Sequence, residues 1–267
     1  MCLICTEPLD SLAEMVWLDC SWCDAVTAIP PEMVNLVRLN CHDCPRLASI
    51  PDTLVDLVCL YCYNCPLLAS IPSTLVDLME LSCTKCLLIS SIPSSLVKLV
   101  VLYCAGCPLL VSLPDTLAQL VELVCPDCPR LASIPGELVK LNMLNCSNCP
   151  RLVAIPSTLI QLGWLNCFNC PLILSIPSTL ARLTYERCAG CPWLPQNAAT
   201  YPNHTPSLLR LQRWFRTGKK QVFKRVIRSK AFNEFVFHPD RIGGRLVKRQ
   251  MEAELGAMRP ATKQRVE

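Results

Sequence analysis

Nine pairs of cysteines recur along this chain at a constant interval of 21 residues: Cys20/Cys23, Cys41/Cys44, Cys62/Cys65, Cys83/Cys86, Cys104/Cys107, Cys125/Cys128, Cys146/Cys149, Cys167/Cys170 and Cys188/Cys191. A fixed period of this length marks a fold made by stacking one supersecondary unit on the next, because no single unit can bury its own apolar face. The cysteines sit inside a wider framework. The unit from Leu57 to Asp77 reads LVCLYCYNCPLLASIPSTLVD, and L-x-x-L-x-C-x-x-C-P-x-L-x-x-I-P-x-x-L persists over about 190 residues.

Leu60 and Cys62 alternate with Cys59, Tyr61 and Tyr63, and apolar alternation over so few residues predicts a short strand. Strands of successive units in parallel register stand about 4.8 Å apart, so nine coils make a rod roughly 40 Å long. Pro66 sets the turn after the strand, and Leu68 and Ile71 return to the core. Pro72 excludes a helix on the far side, which is expected to be extended or a single 3₁₀ turn. The register decays at both ends. Cys2 falls one period before Cys23, which predicts half a coil at the N-terminus, and Glu186 takes the inward leucine position of the last unit. Atypical terminal units are expected where a stack must be shielded from water.

The framework is identified as a leucine-rich repeat and resembles the plant-type repeats of immune receptors, with Cys62 in place of a strand leucine and Cys65 at the consensus cysteine. The doubled cysteine followed by proline resembles more closely the leucine-rich repeat proteins of giant DNA viruses of amoebae, the marseilleviruses among them. The tail, with LQRWFRTGKK and FHPDRIGGRLVKRQME, is similar to the short basic segment of those proteins. The resemblance implies an α/β-type repeat solenoid, right-handed, with short parallel strands and little helix, occupying residues 1–195. A basic, partly helical segment is expected over 196–267. It also implies a binding scaffold and no chemistry, since fold alone does not name a partner.

The net charge of +4 conceals an asymmetry. Residues 1–195 carry 9 basic and 16 acidic side chains, and residues 196–267 carry 16 and 5, balances of −7 and +11. The N-terminal MCLICTEPLD lacks the basic and apolar regions of a secretory signal, so the 21 cysteines are expected to stay reduced in a cytoplasm, that of the host cell if the chain is viral. The uncharged stretch 152–181 is not a membrane span: it contains Pro156, Pro171 and Pro177 and keeps the repeat phase.

Paired C-x-x-C motifs can hold zinc. Here each pair falls in the phase assigned to the core, where burial opposes thiolate formation, so the thiols are expected to be structural, with no metal and no cofactor. CLICTEPL faintly resembles the start of a RING finger, but the later ligands are missing. Catalysis has no support: His42, His204 and His238 are isolated, and neither a P-loop nor G-x-G-x-x-G occurs.

The strand positions that point away from the core form three columns that vary while the framework does not. Trp17, Arg38, Tyr61, Tyr63, Tyr103, Glu122, Trp164 and Phe168 stand out in them, and aromatic and arginine side chains are enriched where interfaces concentrate their energy. An unidentified protein partner on this concave face is expected, bound by a monomer. In the tail, Leu208, Leu211, Phe215, Val222 and Val226 lie at helical spacing amid Arg210, Arg213, Arg216, Lys219, Lys220, Lys224 and Arg225. A cap over the end of the solenoid is the expectation there; a nucleic-acid or anionic-membrane binder is the rival.

Overall fold

The computed structural model describes residues 2–6 and 8–192. The boundary expected at residue 195 and the basic segment that follows lie outside the described residues. Two short helices, α1 (Leu3–Thr6) and α2 (Leu9–Ala13), precede nine three-residue strands. These are β1 (Trp17–Asp19), β2 (Arg38–Asn40), β3 (Cys59–Tyr61), β4 (Glu80–Ser82), β5 (Val101–Tyr103), β6 (Glu122–Val124), β7 (Met143–Asn145), β8 (Trp164–Asn166) and β9 (Tyr185–Arg187). They form one parallel sheet in sequence order, and each residue pairs with the one 21 positions on, as Leu60 with Leu81 and Leu81 with Leu102. The result is a parallel β-solenoid with little helix.

Each framework position becomes a ladder. Leu18, Leu39, Leu60, Leu81, Leu102, Leu123, Leu144 and Leu165 are fully buried in a row, and rows of Leu36-type and Leu54-type residues flank them. The far side is built of single tight turns, such as Leu68 N–H to the Cys65 carbonyl at 3.2 Å and Leu78 N–H to Leu75 at 3.1 Å. Hydroxyls add a further row, with Thr74 Oγ1 donating to the Asp52 carbonyl at 2.7 Å and Thr179 to Ser157 at 2.6 Å. These exposed hydroxyls give a carbonyl of one coil a partner from the next on the side where no strand runs. No helix among the described residues is long and apolar enough to cross a membrane.

The expected N-terminal half coil is corrected. The segment is helical, with Cys5 N–H bonded to the Cys2 carbonyl at 2.9 Å and Met15 N–H to Leu12 at 3.1 Å. Local i→i+3 bonds satisfy backbone groups of this segment, which contributes none of the nine strands. The phase inferred from the cysteines nevertheless holds, since Cys2 reaches Cys23.

The second residue between the paired cysteines has positive φ in every coil, from Trp22 (φ 60) through Asp43, Asn64, Lys85, Gly106, Asp127, Asn148 and Asn169 to Gly190 (φ 85). Seven of the nine are Asn, Asp or Gly, the residues that tolerate the left-handed region. Their amides form a ladder: Asn64 donates to Asp43, Asn148 to Asp127 at 2.8 Å and Asn169 to Asn148 at 3.1 Å. Lys85 (φ 59) breaks the pattern and carries a Cβ penalty of about 1–2 kcal/mol. Lys85→Asn should therefore raise the unfolding free energy by about 1 kcal/mol, read from urea midpoints; an unchanged midpoint would show that the turn is unstrained.

Glu186 sits opposite Leu165 in β9, half-buried where every earlier strand has leucine. Burial raises its carboxyl pKa above the ordinary glutamate value. A raised folded-state value means that the protonated form suits the fold: no penalty below the ordinary glutamate range, and a growing one as pH climbs through the raised value. Glu186→Leu should stabilise the chain by about 1 kcal/mol from apolar contact alone, with a larger gain near pH 7 than near pH 4. Equal gains at both pH values would contradict the burial argument.

Candidate functional site: the outward face of the sheet

Period-two alternation sends one strand residue inward and its neighbours outward, so the three variable columns come together on one face. In nearly every strand the central residue is buried and the first is half-buried or exposed. The structure gathers the expected residues into clusters across neighbouring strands.

The first cluster lies on β1 to β4. Tyr61 donates its hydroxyl to Glu80 Oε2 at 2.7 Å, and the Arg38 guanidinium lies 5.5 Å from the Tyr61 ring centre with a nitrogen 3.4 Å from the phenol oxygen. Burial and the Glu80 carboxylate push the Tyr61 phenol well above its ordinary range, so it remains a donor. Beside it, Tyr63 stacks on His42 at 4.2 Å, and Trp22 meets His42 edge-on at 5.7 Å. His42 Nδ1 lies 2.8 Å from Asp43 Oδ2. Asp19 receives Ser21 Oγ at 2.6 Å and Asn40 Nδ2 at 3.0 Å. Burial alone would raise its carboxyl, but those bonds outweigh it and hold the pKa below the usual value. Asn40 Oδ1, at the centre of the cluster, is the one buried side-chain oxygen or nitrogen without a hydrogen-bond partner among the described residues.

The first motif recurs two coils on, where Tyr103 donates to Glu122 Oε1 at 2.7 Å. A third cluster closes the described face: Trp164 stacks on Tyr185 at 5.0 Å, and Arg187 lies 4.9 Å from the ring centre of Phe168. Trp17, 55% exposed on β1, is the expected residue left outside these groups. The basic residues from Arg210 to Arg225 lie outside the described residues. Trp22, 71% exposed, escaped the sequence argument because it lies beyond the strand columns. Its signal was present, since a bulky residue at a position otherwise given to Asn, Asp or Gly demands a reason.

The face opposite offers no comparable variety. Four positions before six of the nine strands stands an exposed apolar residue, Val34, Val55, Val76, Val97, Val139 or Ile160, with Ala118 and Ala181 at the equivalent places before β6 and β9. The chemistry of this row is nearly constant, aliphatic throughout, and distinguishes one stretch of the rod from another far less than the outward columns do.

The paired cysteines are core groups, fully or nearly fully buried. The second thiol of each later pair donates to the backbone of a preceding coil, as Cys65 Sγ to Cys41 O at 3.1 Å and Cys170 Sγ to Cys146 O at 3.1 Å. A thiol therefore ties each of these turns to the backbone of the coil before it. Burial pushes Cys41 well above the usual thiol range. Neighbours on the ladder come close, Cys167 and Cys188 lying 3.1 Å apart, so oxidation is a hazard. Cys23, at the N-terminal end, differs. Burial works against its thiolate, but hydrogen bonds from the backbone of Ala25 and Cys2, the Cys2 thiol and the backbone of Val26 prevail and its pKa falls to about 7.

No family model matches the chain, and no curated protein matches it. Solved structures do. The functional domain of InlJ from Listeria monocytogenes, which includes a cysteine ladder, superposes with a TM-score of 0.56 at 21% identity, covering 71% of this chain and 47% of that one. A TDR receptor gives 0.59 at 20% identity over 68% of this chain and 36% of its own. The leucine-rich repeat domain of the type III effector XopL gives 0.53 at 20% identity, with 72% and 82% covered. The chain thus has the leucine-rich repeat fold, and it spans less than half the length of the first two of these structures.

Proposed function

We propose that this chain is a non-enzymatic, monomeric protein-interaction scaffold whose partner seats on the outward, concave face of the sheet. The observation that carries the proposal is the clustering of aromatic side chains with bonded polar tips at the variable positions of an otherwise constant framework. Tyr61 and Tyr103 are held by Glu80 and Glu122, so little rotamer entropy remains to be lost when a partner arrives. Aromatic rings with one polar end are the groups that dominate protein interfaces. The leucine-rich repeat neighbours support a protein partner in general. The density of free thiols favours a reducing compartment, and the viral resemblance of the repeat and tail makes that the cytoplasm of an infected host cell.

The rival is a nucleic-acid or anionic-membrane binder acting through the basic tail. Capture by the full chain separates the two. Tyr61→Ala with Trp164→Ala should remove the partner. Glutamine at Arg210, Arg213, Arg216, Lys219, Lys220, Lys224 and Arg225 should leave capture intact. Loss in the second variant, with binding that falls steeply as salt rises, would establish the rival.

A further inference from the structure

Three thiols meet at the N-terminal end, two of them outside the ladder. Cys2 immediately precedes α1 and Cys5 lies within it, a C-x-x-C arrangement, and Cys23 lies on the turn after β1. Cys2 Sγ is 3.8 Å from Cys5 Sγ, Cys5 Sγ is 3.7 Å from Cys23 Sγ, and all three sulfurs lie within 4.8 Å of one another. Two thiolates on a tetrahedral zinc, each about 2.3 Å from the metal, are separated by about 3.8 Å. Two of the three edges already have that length.

The bonding of Cys23 is a second observation. From Cys44 to Cys191, the corresponding thiol of each later pair donates to a carbonyl of a preceding coil. The carbonyl 24 positions before Cys23 would precede Met1, so this thiol makes no such bond among the described residues; its sulfur faces Cys5 instead. Access differs as well. The core pairs are sealed, whereas Cys5 is exposed and Cys2 half-buried, so an ion can enter from solvent and keep a water in its fourth position.

We propose that Cys2, Cys5 and Cys23 form a three-thiolate site for a zinc ion, which clips the N-terminal helix onto the first coil and closes that end of the stack. This departs from the metal-free chain expected from the nine core pairs, and the departure is confined to the N-terminal end: Cys2, Cys5 and the second thiol of the first pair. On binding, three thiol protons pass to solvent, and Zn²⁺ with three thiolates leaves a net charge of −1. The oxidation states do not change.

The test uses the full chain, stripped of metal and kept reduced by a phosphine. Zinc is titrated against a chromophoric chelator, and cobalt(II) serves as the spectroscopic probe. One equivalent of zinc should bind, and cobalt should show thiolate charge-transfer and tetrahedral bands. Cys5→Ser, an exposed change, should lower zinc affinity by more than the roughly 10–100-fold that a lost outer-shell partner costs. Cys59→Ser, at a half-buried thiol on the sheet face, should leave binding unchanged. Zinc should also raise the Tm of the unaltered chain and not that of Cys5→Ser. The proposal is overturned by absence of uptake, by uptake indifferent to Cys5→Ser, by equal loss in Cys59→Ser, or by a disulfide among the three that persists in the reductant.

Discussion

Leu102→Ala lowers the unfolding free energy by about 3 kcal/mol, within the range of about 2–5 for burial-to-cavity changes, while Tyr103→Ala one residue away costs about 1 kcal/mol. Leu102 has no exposed surface and lies in register between Leu81 and Leu123. The void that alanine leaves is walled by neighbouring coils that cannot collapse without breaking their own ladders. In a stacked array the contacts on both sides of the coil weaken together. Tyr103 points outward and gives up its bond to Glu122 and the contacts of a half-buried ring. Urea unfolding monitored by circular dichroism measures both variants, and equal losses would mean that the assigned inward and outward faces are wrong.

The second large effect concerns binding. Truncating one central aromatic anchor costs an interface at least about 2 kcal/mol, or about 30-fold in Kd. Tyr61 on β3 and Trp164 on β8 are five strand steps apart, about 24 Å, so their losses should add. Tyr61→Ala with Trp164→Ala should therefore weaken the partner by about 1000-fold. Neither side chain is a framework residue, and the solenoid should keep its circular dichroism spectrum and most of its Tm. A double variant that binds within threefold of the unaltered chain would contradict the assignment of the face.

The framework was legible because its signal is redundant. Each inward position is repeated eight or nine times, and one proline per coil excludes helix on the far side. The columns of the outward face followed from period-two alternation, and the structure places Tyr61, Tyr103, Glu122 and Trp164 where the spacing put them. What failed to show were features that depend on what lies next to a residue rather than on its phase. The pairing of Tyr61 with Glu80 crosses 19 positions between adjacent coils, and alternation within one strand says nothing about which outward groups of two strands touch. The left-handed turn is written in the Asn, Asp and Gly between the cysteines, but Trp22 and Lys85 obscure it. At the N-terminus, phase placed Cys2 beside Cys23 but gave no hint of a helix, since a 21-residue period records the spacing of residues and not the backbone conformation between them.

The most direct test of the binding face installs a photocrosslinking phenylalanine derivative at one position at a time in the full chain: Tyr103 on the sheet face, and Val97 on the constant row outside it. Crosslinked products are identified by mass spectrometry in the partner-containing mixture. The account predicts a protein adduct at position 103 that disappears in the Tyr61→Ala, Trp164→Ala background, with none at 97. An adduct at 97 and none at 103 would contradict it.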